Sequence, residues 1–279
     1  IDSEQLATAI DMISSFILRR FICGESSRGY GRIFVRAVEL LGDEPVASLE
    51  RYLVGRGWPD DRRFTAAFVE FPLYQRGYAR AVLVALEQQR EHKEPADLTA
   101  TQIEHILPQT MTDAWRAELG DGADTLHADW LHRPGNLTLS AYNQELWNHP
   151  FAMKSVRFRQ SNVVLTREVG TYDRWGVAEI RARGERLAKA AAKIWVGPSA
   201  EAVAARQDAG DDGVDDDQEL TPLRQIQLDF WTQFYDLLQE ETGWNVRRKP
   251  QPWYWMDVPI GRQYFTMNVV IAVRESRMN

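Results

Sequence analysis

Between residues 103 and 154 the chain sets down a short apolar run that ends at a proline, then a Gly-Asn pair feeding a second apolar run, then a helix-like stretch. Ile103-Glu104-His105-Ile106-Leu107-Pro108 is β-branched and apolar, and Pro108 removes a backbone donor where a ladder would continue, so a strand is predicted to stop there. Pro134-Gly135-Asn136 reads as a turn into a second strand, Leu137-Thr138-Leu139, and a helical run is predicted from Ser140 through Phe151. The unit is therefore strand, loop, strand, helix. It brings His105 near the carboxamide of Asn143 and needs no cysteine to do so.

The residue types suit hydrolysis of a phosphodiester, which needs a base to deprotonate water and a cation to neutralise charge on phosphorus and the departing oxygen. A histidine with an unperturbed pKa of roughly 6.5 supplies the base. Glu104 and an asparagine carbonyl supply oxygen donors of the kind that hard divalent ions prefer. A zinc peptidase is excluded, because Glu104-His105 is not set in a His-Glu-x-x-His helix.

Glu-His-Ile-Leu-Pro, then Gly-Asn-Leu-Thr-Leu, then Asn143, Asn148, Phe151 and Lys154, resemble the HNH (ββα-metal) nuclease domain. In particular they are similar to the C-terminal domain of GmrSD-type modification-dependent restriction enzymes and of SspE-like effectors linked to DNA phosphorothioation. The likeness is specific over 101–158 and looser over 1–95. It implies His105 as general base, Asn136 as the residue bracing the loop, and Glu104 and Asn143 as ligands of Mg²⁺ or Mn²⁺. His149 is the rival to Asn143, since the family more often carries histidine at that step. A regular strand points Glu104 and His105 to opposite faces, so their convergence on one ion requires distortion near Pro108 or a metal at the strand end.

Net charge is −7, which is unusual for a protein that handles DNA until it is mapped along the chain. Eight acidic residues between 200 and 220, against Arg206 alone, carry all of it, and the remainder is neutral. From Lys154 to Lys193 ten basic residues face four acidic ones, directly after the motif, where a phosphate backbone could lie. Lys154, Arg157 and His132 are the predicted substrate contacts; for 181–193 a solvated face and a phosphate contact stand as equal accounts. The paired Arg19 and Arg20 read as surface charge.

Periodicity predicts helices over 3–20, 31–41, 45–56, 61–70 and 75–90, with Phe34, Tyr52, Phe64, Phe68, Tyr74 and Tyr78 as core aromatics. Further helices are predicted over 111–119 and 175–195, and 163–165 as a short strand or packed loop. The predicted organisation is a helical scaffold domain over 1–95, the nuclease domain with a flanking helix over 96–197, and an acidic flexible linker over 198–220. A small α+β domain follows over 221–279, either cut short or completed by packing from elsewhere. It has a helix from 223 and strands at 244–248, 253–258 and 264–273. The fold class is mainly α with a small α+β (ββα-metal) nuclease core and a C-terminal partial α/β unit.

The single cysteine, Cys23, fits a reducing cytoplasm, and no apolar run approaches the roughly 20 residues a membrane helix needs. From the start at Ile1 a longer protein is expected, and with no phosphate-binding Gly-rich loop in this sequence, a sensor or NTPase-like portion is expected outside this chain. The expected partner is DNA, with no membrane, and a homo-oligomer stays open. Two functional classes stand: a metal-dependent endonuclease nicking or cleaving DNA as the arm of a bacterial restriction or anti-phage protein, and a catalytically silent nucleic-acid-binding or protein-docking module. The presence of base and oxygen ligands together favours the first.

Overall fold

A computed structural model describes residues 1–90, 92–208, 222–242, 255–259 and 266–270, and divides the chain into two compact units, Ile1–Asp212 and Gly213–Asn279. Helix α1 (Ser3–Ile22) opens with a capping box, in which the Asp2 carboxylate accepts the Gln5 N–H and the Gln5 side chain accepts the Asp2 N–H. Helices α2 (Tyr30–Glu39), α3 (Pro45–Gly55) and α4 (Asp61–Glu70) follow; proline begins α3 and Asp60 caps α4. A 3-10 turn, Leu73–Arg76, is closed by Gly77 at φ 81° before α5 (Ala79–Gln88). The single helix predicted over 75–90 is thus split, because Gly77 takes a left-handed conformation that a helix cannot hold.

Strands β1 (Gln102–His105) and β2 (Leu137–Ser140) pair antiparallel, with Glu104 opposite Thr138 and His105 opposite Leu137. Between them lie α6 (Asp113–Leu119) and α7 (Ala123–Trp130); after them come α8 (Asn143–Leu146), α9 (Phe151–Arg159), α10 (Val164–Arg167), α11 (Val177–Ile194) and α12 (Ala200–Asp208). The architecture is mainly α around a small antiparallel ribbon. A hairpin this short is marginal by itself, so its stability comes from what encloses it. Leu137 and Leu139 pack with Phe64, Phe68, Leu83 and Leu187, which ties β2 to α4, α5 and α11. A second cluster, including Ile106, Leu107, Trp115, Phe151, Trp175 and Ile180, forms the floor of the motif.

Four further local readings change. The helix expected from Ser140 through Phe151 is only α8, one turn long: Trp147 sits at φ 32° and Pro150 precedes α9. Residues 163–165 enter a helix, not a strand, because the Glu87 carboxylate accepts the N–H groups of Val164 (2.7 Å) and Leu165 (2.9 Å) at its start. Arg19 is fully buried, not surface charge; it donates to the carbonyls of Trp195 and Pro59 and pairs with Asp61. Of the expected linker, 200–208 is helix α12 with Ala202 buried among residues such as Leu49 and Leu53, and 209–221 lies outside the described residues.

In the second unit α13 (Pro222–Thr242) is followed by β3 (Trp255–Pro259) and β4 (Thr266–Val270), paired antiparallel with Asp257 opposite Asn268. The strand expected at 244–248 lies outside the described residues. Among the described residues no helix is long and apolar enough to cross a membrane.

Candidate active site

The turn before β2 is locked first. Pro134–Asn136 forms a 3-10 turn against α11, and a Cβ on Gly135 would fall 2.0 Å from the Ile180 carbonyl oxygen, so only glycine allows this approach. Asn136, with no solvent exposure, spends its whole amide on the loop. Its Oδ1 accepts from the Leu107 N–H (2.8 Å) and the Trp175 indole (3.1 Å), and its Nδ2 donates to the carbonyls of Leu107 (3.0 Å) and Leu131 (2.9 Å). Arg183, 1% exposed, donates to the carbonyls of Gly135 (2.9 Å), Leu137 (2.7 Å) and Leu165 (3.3 Å). Burial lowers its pKa to about 10, which still leaves it a cation at neutral pH. A buried guanidinium with carbonyl partners satisfies orphan acceptors that the irregular turn creates.

On one face of β1, Glu104 meets Lys154 of α9, whose ammonium lies 2.7 Å from Glu104 Oε1 and donates also to the carbonyls of His105 (3.0 Å) and Ile106 (3.2 Å). Burial pushes the Glu104 carboxyl up and the Lys154 ammonium down, and their mutual attraction opposes both shifts.

The other face carries His105, whose Nε2 lies 3.2 Å from His132 Nδ1. The Tyr74 ring meets His105 edge-on at 4.4 Å and lies parallel to His132 at 5.4 Å. Burial first, then the neighbouring His132, Lys154 and His127, depress the His105 pKa to about 3. The imidazole is therefore uncharged at neutral pH, and a lone pair is available on its ring. His127 turns away from this pair and contacts the Pro108 carbonyl at 2.7 Å.

Asn143, at the start of α8, donates through Nδ2 to the Ile103 carbonyl (3.0 Å), while its Oδ1 is buried without a hydrogen-bond partner. A buried amide oxygen left open is a costly feature unless something is to occupy it. Among the described residues no group of three His, Cys, Asp or Glu side chains is arranged to hold a metal. The Asn143 amide oxygen and the Glu104 carboxylate, the latter held by Lys154, are oxygen donors of the kind that hard divalent ions prefer. His149 presents its carbonyl to the Trp115 indole (3.1 Å).

The structure thus brings His105, His132, Asn136 and Glu104 around β1 and the turn, with Asn143 bonded to the same strand. It does not present Lys154 to solvent: at 1% exposure its charge is spent on Glu104 and two carbonyls. Arg157, half-exposed, pairs with Glu145 at the surface and is free of the core. Sequence reasoning missed the structural part of Arg183, left open between a phosphate contact and a solvated face, and that of Trp175. It also assigned Tyr74 to the core, whereas Tyr74 is 37% exposed and packs on the two histidines. No local signal marks Arg183; the nearest is its place one residue before Gly184, which faces Gly135 on the helix surface that α11 turns to the motif.

No curated protein matches the chain. Residues 58–190 match the family model described as the C-terminal domain of GmrSD restriction endonucleases. That span begins just before α4 and ends within α11, so it takes in the Tyr74 turn, both strands, the Asn136 turn and the Arg183 helix as one piece. Over residues 58–190 the chain is therefore similar to the C-terminal domain of GmrSD restriction endonucleases.

Proposed function

We propose that this domain is a metal-dependent endonuclease of the HNH type that nicks or cleaves DNA, as the cutting arm of a modification-dependent restriction or anti-phage protein. The observation that carries the reading is the setting of His105: it ends β1 against His132 and Tyr74, beside a turn that Asn136 fixes through four hydrogen bonds. In this reading His105 takes a proton from water as the water oxygen bonds to phosphorus and the bond to the departing sugar oxygen breaks. Glu104 and Asn143 would hold Mg²⁺ or Mn²⁺, which supplies neutralisation of charge on the phosphate and the leaving oxygen. The open Oδ1 of Asn143 supports its part in this. Lys154 keeps Glu104 ionised and fixed, and Arg157 meets the phosphate backbone.

A second reading, a silent nucleic-acid-binding module with the same fold, draws on the Glu104 carboxylate already being engaged by Lys154. Incubation of the chain with supercoiled plasmid separates the two. Nicked or linear product with Mg²⁺ or Mn²⁺, lost in chelator and restored by added metal, is expected. Plasmid shifted but never cut under any of these conditions would establish the silent module instead.

A further inference from the structure

Tyr74 belongs to the helical part of the chain, in the turn between α4 and α5, yet its ring forms a wall of the histidine pocket. Leu73, fully buried, anchors the turn from within, and Gly77 closes it. The Tyr74 N–H donates to the His132 carbonyl at 3.2 Å, so backbone as well as ring ties the two residues. Beside them Arg133 pairs with Glu70 at the end of α4 and lies 3.9 Å over the Trp130 ring, which clamps the segment carrying His132 to the helical scaffold. The Tyr74 and His132 rings are 10° from parallel, and His105 stands against both, at 73° to the tyrosine and 78° to His132. A neutral imidazole has one N–H and one lone pair. The contact between His105 Nε2 and His132 Nδ1 engages one nitrogen of each ring, and so fixes the direction in which the His105 ring is held.

We propose that Tyr74 is a positioning residue for the nuclease centre: by stacking on His132 and closing on the edge of His105, it holds the two histidine rings in their crossed arrangement. The helical scaffold thereby completes the site. This rests on the endonuclease reading above.

The test uses the full chain and single-turnover plasmid cleavage with Mg²⁺, with DNA binding measured separately, in Tyr74→Phe, Tyr74→Leu, Tyr74→Ala, His132→Ala and the Tyr74→Ala/His132→Ala pair. Misorientation of a reacting group costs up to about 100-fold in rate. Tyr74→Ala and Tyr74→Leu should slow cleavage about 10- to 100-fold with KM for DNA held within about twofold, and Tyr74→Phe should restore most of the rate, because the ring and not the hydroxyl does the stacking. The double variant should lose little beyond His132→Ala. Should the alanine variant not fold, Tyr74→Leu, which keeps apolar bulk, carries the comparison. Parent-like cleavage in Tyr74→Leu, a loss that phenylalanine does not restore, a loss confined to KM, or additive losses in the double variant would each overturn the proposal. A parent chain that binds but never cuts would overturn the endonuclease reading itself, a separate outcome.

Discussion

The two faces of β1 differ more than two adjacent residues of one strand ordinarily do. Glu104 looks toward α9 into a closed ion pair with Lys154, a residue bonded also to two main-chain carbonyls. His105 looks toward α4 and α5, onto two aromatic rings, one of them partly open to solvent. The first face is charge held by charge in a dry setting, where removal of one partner is expensive. The second sets the imidazole against two rings, and burial first, with neighbouring positive charge, favours its neutral form. A four-residue strand thus separates an ion-paired carboxylate from an imidazole set among rings.

That contrast is breakable by mutation, and the largest effect is expected on the histidine face. His105→Ala should lower plasmid cleavage by about 10²- to 10⁴-fold, the usual worth of a positioned proton acceptor, while circular dichroism shows a folded chain. Cleavage at the parent rate would remove His105 from the mechanism.

On the opposite face the loss should be one of stability. Lys154→Ala leaves a buried carboxylate without its partner and should cost about 3–5 kcal/mol in denaturant unfolding, with part of the loss recovered when Glu104→Gln is added. A Lys154→Ala chain as stable as the parent would mean that the two faces do not differ as the geometry indicates.

The helix that follows β2 sharpens the division of ligands. Asn143→Ala should raise the Mg²⁺ or Mn²⁺ concentration for half-maximal cleavage by about tenfold or more, since losing even an outer-shell partner costs about 10- to 100-fold. His149→Ala should shift it less, and the reverse ranking would hand the ligand role to His149. The smallest effect belongs to the exposed cation: Arg157→Ala should reduce the slope of log affinity against log salt by about 0.9 on duplex DNA, equally for unrelated sequences. An unchanged slope would confine Arg157 to its surface pair with Glu145.

Much of the site was legible because it is carried by residues close in sequence. Ile103 to Pro108 reads as a strand that stops, Pro134-Gly135-Asn136 as a turn, and their order resembles a known nuclease motif; the turn and β2 stand where expected within one residue, whereas β1 runs from Gln102 to His105 and stops short of Pro108. The first four helices were also legible from periodicity and caps. The helix expected to continue through 151 was not, since the conformation of Trp147 depends on Leu146 entering the core and on Trp115 holding the His149 carbonyl.

What the sequence by itself determined is therefore the chemistry available: a histidine beside a carboxylate on a strand, asparagines on the turn and the helix after it, and no thiolate pair. What only the tertiary structure decided is which charges work inside the fold. Lys154 and Arg183 look, in sequence, like the exposed Arg157 and Arg181, because a cation is buried or solvated according to whether distant segments offer it carbonyls and carboxylates. Those partners lie 46 to 50 residues away for Lys154–Glu104 and Arg183–Leu137, a separation at which composition and periodicity carry no information and only packing does.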